Sequence, residues 1–117
     1  MRIIAGFYKN RRIDFKNLNI RPTTNFAKES LFNILNNNYN LEKTTVLDLF
    51  AGSGNISFEF ISRGCETVIA VDNNIKCISF IKGIKEKLNI NNLIIQFANV
   101  NSFLKKNNTC YDIIFLD

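Results

Sequence analysis

Beyond residue 44 the chain alternates two kinds of hydrophobic run. Val46-Leu47-Asp48-Leu49-Phe50, Thr67-Val68-Ile69-Ala70-Val71, Leu93 to Phe97 and Asp112 to Leu116 are short and almost continuously apolar. All four read as strands, and Val46 to Phe50 has the pattern of one buried on both faces. Between them lie helical stretches. Asn55 to Arg63 is one, stopped at Gly64. A second, capped by Asn73 or Asn74, carries Ile75, Ile78, Ile81, Ile84 and Leu88 on one face. Ser102 to Lys106 is a third. Strands alternating with helices predict a parallel sheet with right-handed crossovers. Ahead of this unit, Ala27, Leu31, Ile34 and Leu35 recur at helical spacing and predict a helix from Asn25 to about Asn37. Pro22 keeps Arg21 extended, and Thr23 or Thr24 can cap that helix. Arg2 to Phe7 and Arg12 to Phe15, joined by a Lys9-Asn10 turn, read as a short hairpin. The expected fold is α/β and Rossmann-like: an N-terminal β-hairpin over residues 1–20, then a helix and a βαβαβαβ parallel sheet within residues 21–117.

The last strand carries a further expectation. Ile113-Ile114-Phe115-Leu116 is apolar on both faces, yet the chain stops at Asp117. A parallel strand of this type normally has a neighbour on each side, and a bare apolar edge invites aggregation. The sequence therefore reads as a fragment or a shortened product, lacking the last strands of such a sheet.

Composition narrows the function. A chain of 117 residues, 46% hydrophobic and 21% charged, is one small globular unit. No window reaches the ~20 consecutive apolar residues of a membrane span, and the start lacks a signal-peptide core. A cytoplasmic protein without membrane contact is expected, and a monomer. The chain has no histidine, which excludes a histidine-based triad and a zinc–histidine site. Cys65, Cys77 and Cys110 are scattered and odd in number, so they read as reduced core thiols, with no metal site.

Charge is concentrated at one end. Residues 1–28 hold Arg2, Lys9, Arg11, Arg12, Lys16, Arg21 and Lys28 against Asp14 alone, a net of +6, while the rest of the chain sums to −1. Such an arm suits a polyanion, or simply a solvated basic hairpin.

The sharpest chemical signal is Asp48-Leu49-Phe50-Ala51-Gly52-Ser53-Gly54 at a strand-to-helix turn, with Asp72 ending the next strand. A Gly-x-Gly turn lets backbone approach a ligand and aims helix N–H groups at it. An acid at the tip of the second strand can accept hydrogen bonds from an adenosine ribose. A dinucleotide and S-adenosylmethionine both remain open. The dinucleotide fingerprint wants a third glycine where Ser57 stands, and Asp48 within the first strand suits the amino group of a methionine moiety better. A phosphate-loop motif is excluded, since no Lys-Ser/Thr follows the glycines.

Taken in order, Met1-Arg2-Ile3-Ile4-Ala5-Gly6, Arg21-Pro22-Thr23-Thr24, Lys28-Glu29-Ser30-Leu31-Phe32-Asn33-Ile34-Leu35, the Asp48–Gly54 motif and Ser62-Arg63-Gly64 closely resemble the bacterial 16S rRNA (guanine-N2)-methyltransferases of the RsmD type. The resemblance runs the whole length of the chain. It implies a class I methyltransferase fold using S-adenosylmethionine, with 16S rRNA or the assembling small ribosomal subunit as partner. It implies that Asp48, Phe50, Ala51, Gly52, Ser53 and Gly54 surround the methionine moiety. Asp72 becomes the ribose acid with Asn73 its neighbour, and Asn99 with Val100 lies at the adenine, where many relatives carry Asp. Asp117 matches the first residue of the catalytic Asp-Pro-Pro-aromatic motif, whose remainder is absent. The basic residues Arg2, Lys9, Arg11, Arg12 and Arg21 are then candidates for rRNA phosphates. The shortened chain is expected to hold the cofactor but not to methylate guanine. Two other functions stay open: another DNA or RNA amino-methyltransferase, or a non-catalytic remnant that binds the cofactor or RNA.

Overall fold

The computed structural model describes residues 1–15, 18–21 and 23–116. Helix α1 (Asn25–Asn38) is followed, after a short 3-10 turn, by β1 (Thr45–Leu49), α2 (Asn55–Ser62), β2 (Thr67–Asp72), α3 (Ile75–Lys87), β3 (Leu93–Phe97), α4 (Val100–Lys106) and β4 (Ile113–Leu116). The strands are all parallel, in the order β3-β2-β1-β4. The chain winds outward from β1 through β2 to β3, then returns to the other side of β1. The strand order thus reverses at β1, where such sheets open a crevice beyond their carboxyl ends.

β1 and β2 are central, and Val46, Leu47, Asp48 and Leu49 are all buried, as the apolar run predicts. One core layer joins Val46, Val68, Ala70, Phe58, Phe60 and Ile81 with Ile3 and Ile13 of the N-terminal segment and Phe32 of α1. The opposite layer joins Leu47, Leu49, Ile69, Val71 and Val100. Every residue of α2 is buried. That short helix lies between the sheet and the N-terminal segment.

Several expectations need correction. The hairpin shrinks to a single antiparallel bridge, Arg2 with Arg12, around a hydrogen-bonded turn. Its backbone is recruited by α2 rather than extended into a ladder. On α1 the buried residues are Lys28 and Phe32; Leu31 and Leu35 are half-buried, and Ala27 and Ile34 face solvent. Thr24 caps this helix, accepting from the Ala27 N–H. On α3, capped by Asn74, Cys77 replaces Ile75 on the buried side, and Ile75 is exposed. α4 starts two residues earlier than expected because Asn99 caps it. Cys65 and Cys77 are core thiols, but Cys110 is exposed. Burial pushes the Cys65 thiol up to about 12, which leaves it inert. β4 pairs only with β1 among the described residues, and Ile114 (57%) and Leu116 (64%) are exposed.

Candidate functional site

At the carboxyl ends of β1, β2 and β4 lies a cleft of about 300 Å³. Asp48, Phe50, Ala51, Gly52, Ser53, Asp72 and Asn73 line it, joined by Ile20, Arg21, Thr23, Asn55 and Phe115. Seven of the ten residues expected at a cofactor therefore converge. Gly54 stands one step behind, at the N-cap of α2 with φ +80°. A Cβ there would meet the Phe58 ring at 2.8 Å, so this glycine serves helix packing. Asn99 and Val100 do not line this cleft. Asn99 accepts from the Ser102 N–H (3.2 Å), and Val100 is buried beneath the sheet. Asp117 lies outside the described residues, as do Lys16 and Pro22.

The turn is held open by its own backbone. Gly52 has φ +60°, and a Cβ on it would point toward the Ile20 Cδ1 at 3.6 Å, across the cleft. Phe50 carries φ +57° although it is bulky and half exposed. A bulky side chain avoids this region, so the strain sits where the cleft is formed. The Ala51 N–H donates to the Val71 carbonyl at 3.0 Å, tying the turn to β2.

Two acids face this space. Asp48 is buried and accepts from the Ser57 hydroxyl at 2.6 Å. Ser57 thus fills the position of a fingerprint's third glycine with a donor that orients the acid. Asp72 accepts from the Gly52 N–H (2.9 Å) on one oxygen and from the Asn74 N–H (2.8 Å) on the other. Each carboxylate oxygen keeps lone-pair capacity for a second donor. Burial, and then the charge of Asp72, push the Cys77 thiol upward, so this cleft-lining cysteine is not a nucleophile.

Behind the cleft is a buried ionic cluster that the hydrophobic pattern hides. Lys28 and Glu59 are both fully buried, 3.1 Å apart. Lys28 Nζ also donates to the Arg2 carbonyl (2.7 Å) and to Asn55 Oδ1 (2.8 Å). Asn55 Nδ2 donates to the Thr23 carbonyl (3.0 Å), fixing the segment that walls the cleft. Glu59 accepts from Ile4 N–H, Ala5 N–H and Arg63 Nε at 2.8–3.1 Å. Burial alone pushes the Glu59 carboxyl up. The Ile4 N–H, Arg63 and Lys28 outweigh it and hold the group below its ordinary range. Burial pushes Lys28 below the ordinary lysine range against the pull of Glu59. Asn55, Glu59 and Ser62, at i, i+4 and i+7, form a polar stripe on a helix whose remaining residues, Ser57 apart, are apolar, the signal that could have revealed the cluster. Lys28 therefore leaves the solvent-facing charge of the arm.

The remaining basic candidates are exposed but do not form one patch. Arg2 and Arg12 flank a groove with Asp14. Lys9 and Arg11 lie on the turn, and Arg21 stands at the cleft instead. Among the described residues no helix is long and apolar enough to cross a membrane, and no group of three or more Cys, Asp or Glu side chains could hold a metal ion.

The family model described as conserved hypothetical protein 95 matches residues 1–117. The ribosomal RNA small subunit methyltransferase D of Buchnera aphidicola subsp. Baizongia pistaciae is 44% identical, with 100% of this chain covering 60% of that protein. The protein of the same name from Escherichia coli K12 is 32% identical, over 100% of this chain and 59% of its own. The chain thus spans about 60% of the length of these curated relatives. Among solved structures, yhhF from Escherichia coli superposes with TM-score 0.88 at 27% identity, covering 100% of this chain and 63% of that one. A coclaurine N-methyltransferase bound to N-methylheliamine and SAH shares the fold, with TM-score 0.62 at 19% identity, over 83% of this chain and 30% of its own. The architecture is the Rossmann-like one of class I methyltransferases. The chain belongs to the conserved hypothetical protein 95 family, that of the ribosomal RNA small subunit methyltransferase D proteins.

Proposed function

We propose that this chain binds S-adenosylmethionine in the cleft at the carboxyl ends of β1, β2 and β4 and serves methyl transfer to guanine N2 of 16S rRNA in the assembling small subunit, in the cytoplasm. The observation that carries the reading is the convergence of Asp48, Gly52 and Asp72 on one crevice at the point where the strand order reverses. The residues fit that cofactor. Asp48 offers negative charge to an ammonium. The bare Cα of Gly52 leaves room for close approach. Asp72, pinned by two backbone N–H groups, presents its carboxylate to ribose hydroxyls. Asn99 follows β3 two positions beyond Phe97, the residue paired with Asp72, which suits an adenine contact. When bound, the cofactor supplies an electrophilic methyl group.

On this reading, residues 21–117 form the cofactor unit and the basic segment of residues 1–20 meets RNA. Arg2, Lys9, Arg11 and Arg12 contact phosphates, while Arg21 acts at the cleft mouth. Asp117 follows Leu116, which pairs with Leu49 just before the strained Phe50. On this reading Asp117 accepts from the guanine amine, so that positioning rather than proton abstraction by histidine carries the rate. The test compares retention of labelled S-adenosylmethionine and labelled NAD in equilibrium dialysis. Saturable retention of the first alone is expected; preference for NAD contradicts the proposal.

A further inference from the structure

The most exposed large hydrophobic side chain among the described residues is Phe7 (86%). Scattered surface apolar residues are normal, so exposure alone carries nothing. The mounting of Phe7 is different. Its N–H donates to the Ser62 carbonyl at 2.7 Å, and Gly6, at φ +90°, lies so close to the end of α2 that a Cβ would fall 1.9 Å from that same oxygen. Tyr8 braces the ring edge-on, with centroids 4.8 Å apart. Tyr8 is in turn anchored by its N–H to Ser62 Oγ and its hydroxyl to the Leu88 carbonyl. The backbone beneath an open aromatic ring is therefore fixed in advance. Lys9 and Arg11 follow it on the same turn, and Arg11, Arg12 and Lys87 of α3 line a hollow shared with Leu88, the residue that anchors Tyr8.

We infer that Phe7 stacks on an unpaired base of the RNA while Lys9, Arg11, Arg12 and Lys87 hold the neighbouring phosphates. A pre-ordered aromatic face carried on a basic turn is the chemistry that single-stranded nucleic acid selects, because every base has a π-face and every nucleotide a charge. The occupant is not the base at the cofactor cleft. Phe7 docks on Ser62 at one end of α2, and Gly54 caps the other end. Eight residues of helix separate them, about 12 Å at the usual rise. Phe7 thus reads a second nucleotide, and it rests on the RNA reading above.

The chain has no tryptophan, so Phe7→Trp installs a single fluorescent reporter. The probes are an unstructured oligouridylate and an abasic oligomer of equal length. Stacking predicts quenching of Trp emission by the oligouridylate and none by the abasic oligomer, while a control Ile34→Trp on the exposed face of α1 stays bright. Phe7→Ala should weaken oligouridylate binding about 5- to 150-fold with its salt slope unchanged, and Phe7→Tyr should retain it. The Arg11→Ala/Arg12→Ala variant should weaken binding of both oligomers and flatten the salt slope by about 1.4, near 0.7 for each lost phosphate contact. If Phe7→Ala binds oligouridylate as the parent does while the arginine variant is impaired, stacking is overturned and the RNA reading survives. If the parent chain binds neither oligomer, both are overturned.

Discussion

Glu59→Gln should lower the unfolding free energy by about 3–5 kcal/mol, the usual loss when one partner leaves a buried ion pair. The carboxylate is fully buried and answers two cations and two backbone N–H groups at once. Glutamine keeps the shape but strands the Lys28 charge in the core. For a small domain this is a large share of total stability. The midpoint of urea unfolding measures it. Glu59→Gln/Lys28→Met should be less damaged than the single variant, because the pair is then replaced by neutral groups. The same carboxylate gives the parent an acid limb. Its folded pKa lies below the ordinary value of 4.5. Its contribution is therefore fully present above that value and is lost as the pH falls through the lower, folded one. The single variant should lose this part of the acid sensitivity. An unchanged acid limb contradicts the assignment.

Gly6→Ala should detach the N-terminal arm. The added Cβ would lie 1.9 Å from the Ser62 carbonyl oxygen and 2.4 Å from its carbon, both backbone atoms of a buried helix. No rotamer relieves that contact. The arm must lift away, and with it the Ile4, Ala5, Phe7 and Tyr8 N–H bonds and the Ser62 hydroxyl bond to the Ala5 carbonyl. At about 1 kcal/mol for each bond, the expected loss is about 3–5 kcal/mol. Hydrogen exchange should show the amides of Ile4, Ala5 and Tyr8 losing protection before those of β1. Parent-like protection in the alanine variant contradicts this account of the docking.

The sheet was legible in the sequence because its determinants are local. Val46, Leu47 and Leu49, like Val68 to Val71, put apolar side chains on both faces, and a strand between two helical layers accommodates that. The glycine turn and Asp72 were legible for the same reason: each is short-range chemistry at a strand tip. What stayed hidden was tertiary. Lys28 reads as a surface residue until Glu59, more than thirty positions away, is folded against it. The orientation of α1 follows from that pair, so Ala27 and Ile34 turn outward. Phe32 instead meets Phe60 edge-on at 4.6 Å beneath the Arg63 guanidinium. Asn99 suits a ligand by its place in the chain, but its side chain first satisfies the orphan N–H of α4, a competing local demand. Phe50 belongs to the expected cofactor turn, yet its left-handed backbone is invisible to residue type, because nothing about phenylalanine favours it.

The central claim is that Asp48, Gly52 and Asp72 form a site for S-adenosylmethionine, and calorimetric titration of the chain with that cofactor tests it most directly. We predict saturable one-site binding by the parent. Asp72→Ala should weaken it at least about 10-fold, since a charged acceptor of two ribose hydroxyls contributes about 1.5–3 kcal/mol per hydrogen bond. Identical titration curves for the folded parent and the folded Asp72→Ala variant, or heat that never saturates in the folded parent, contradict the account.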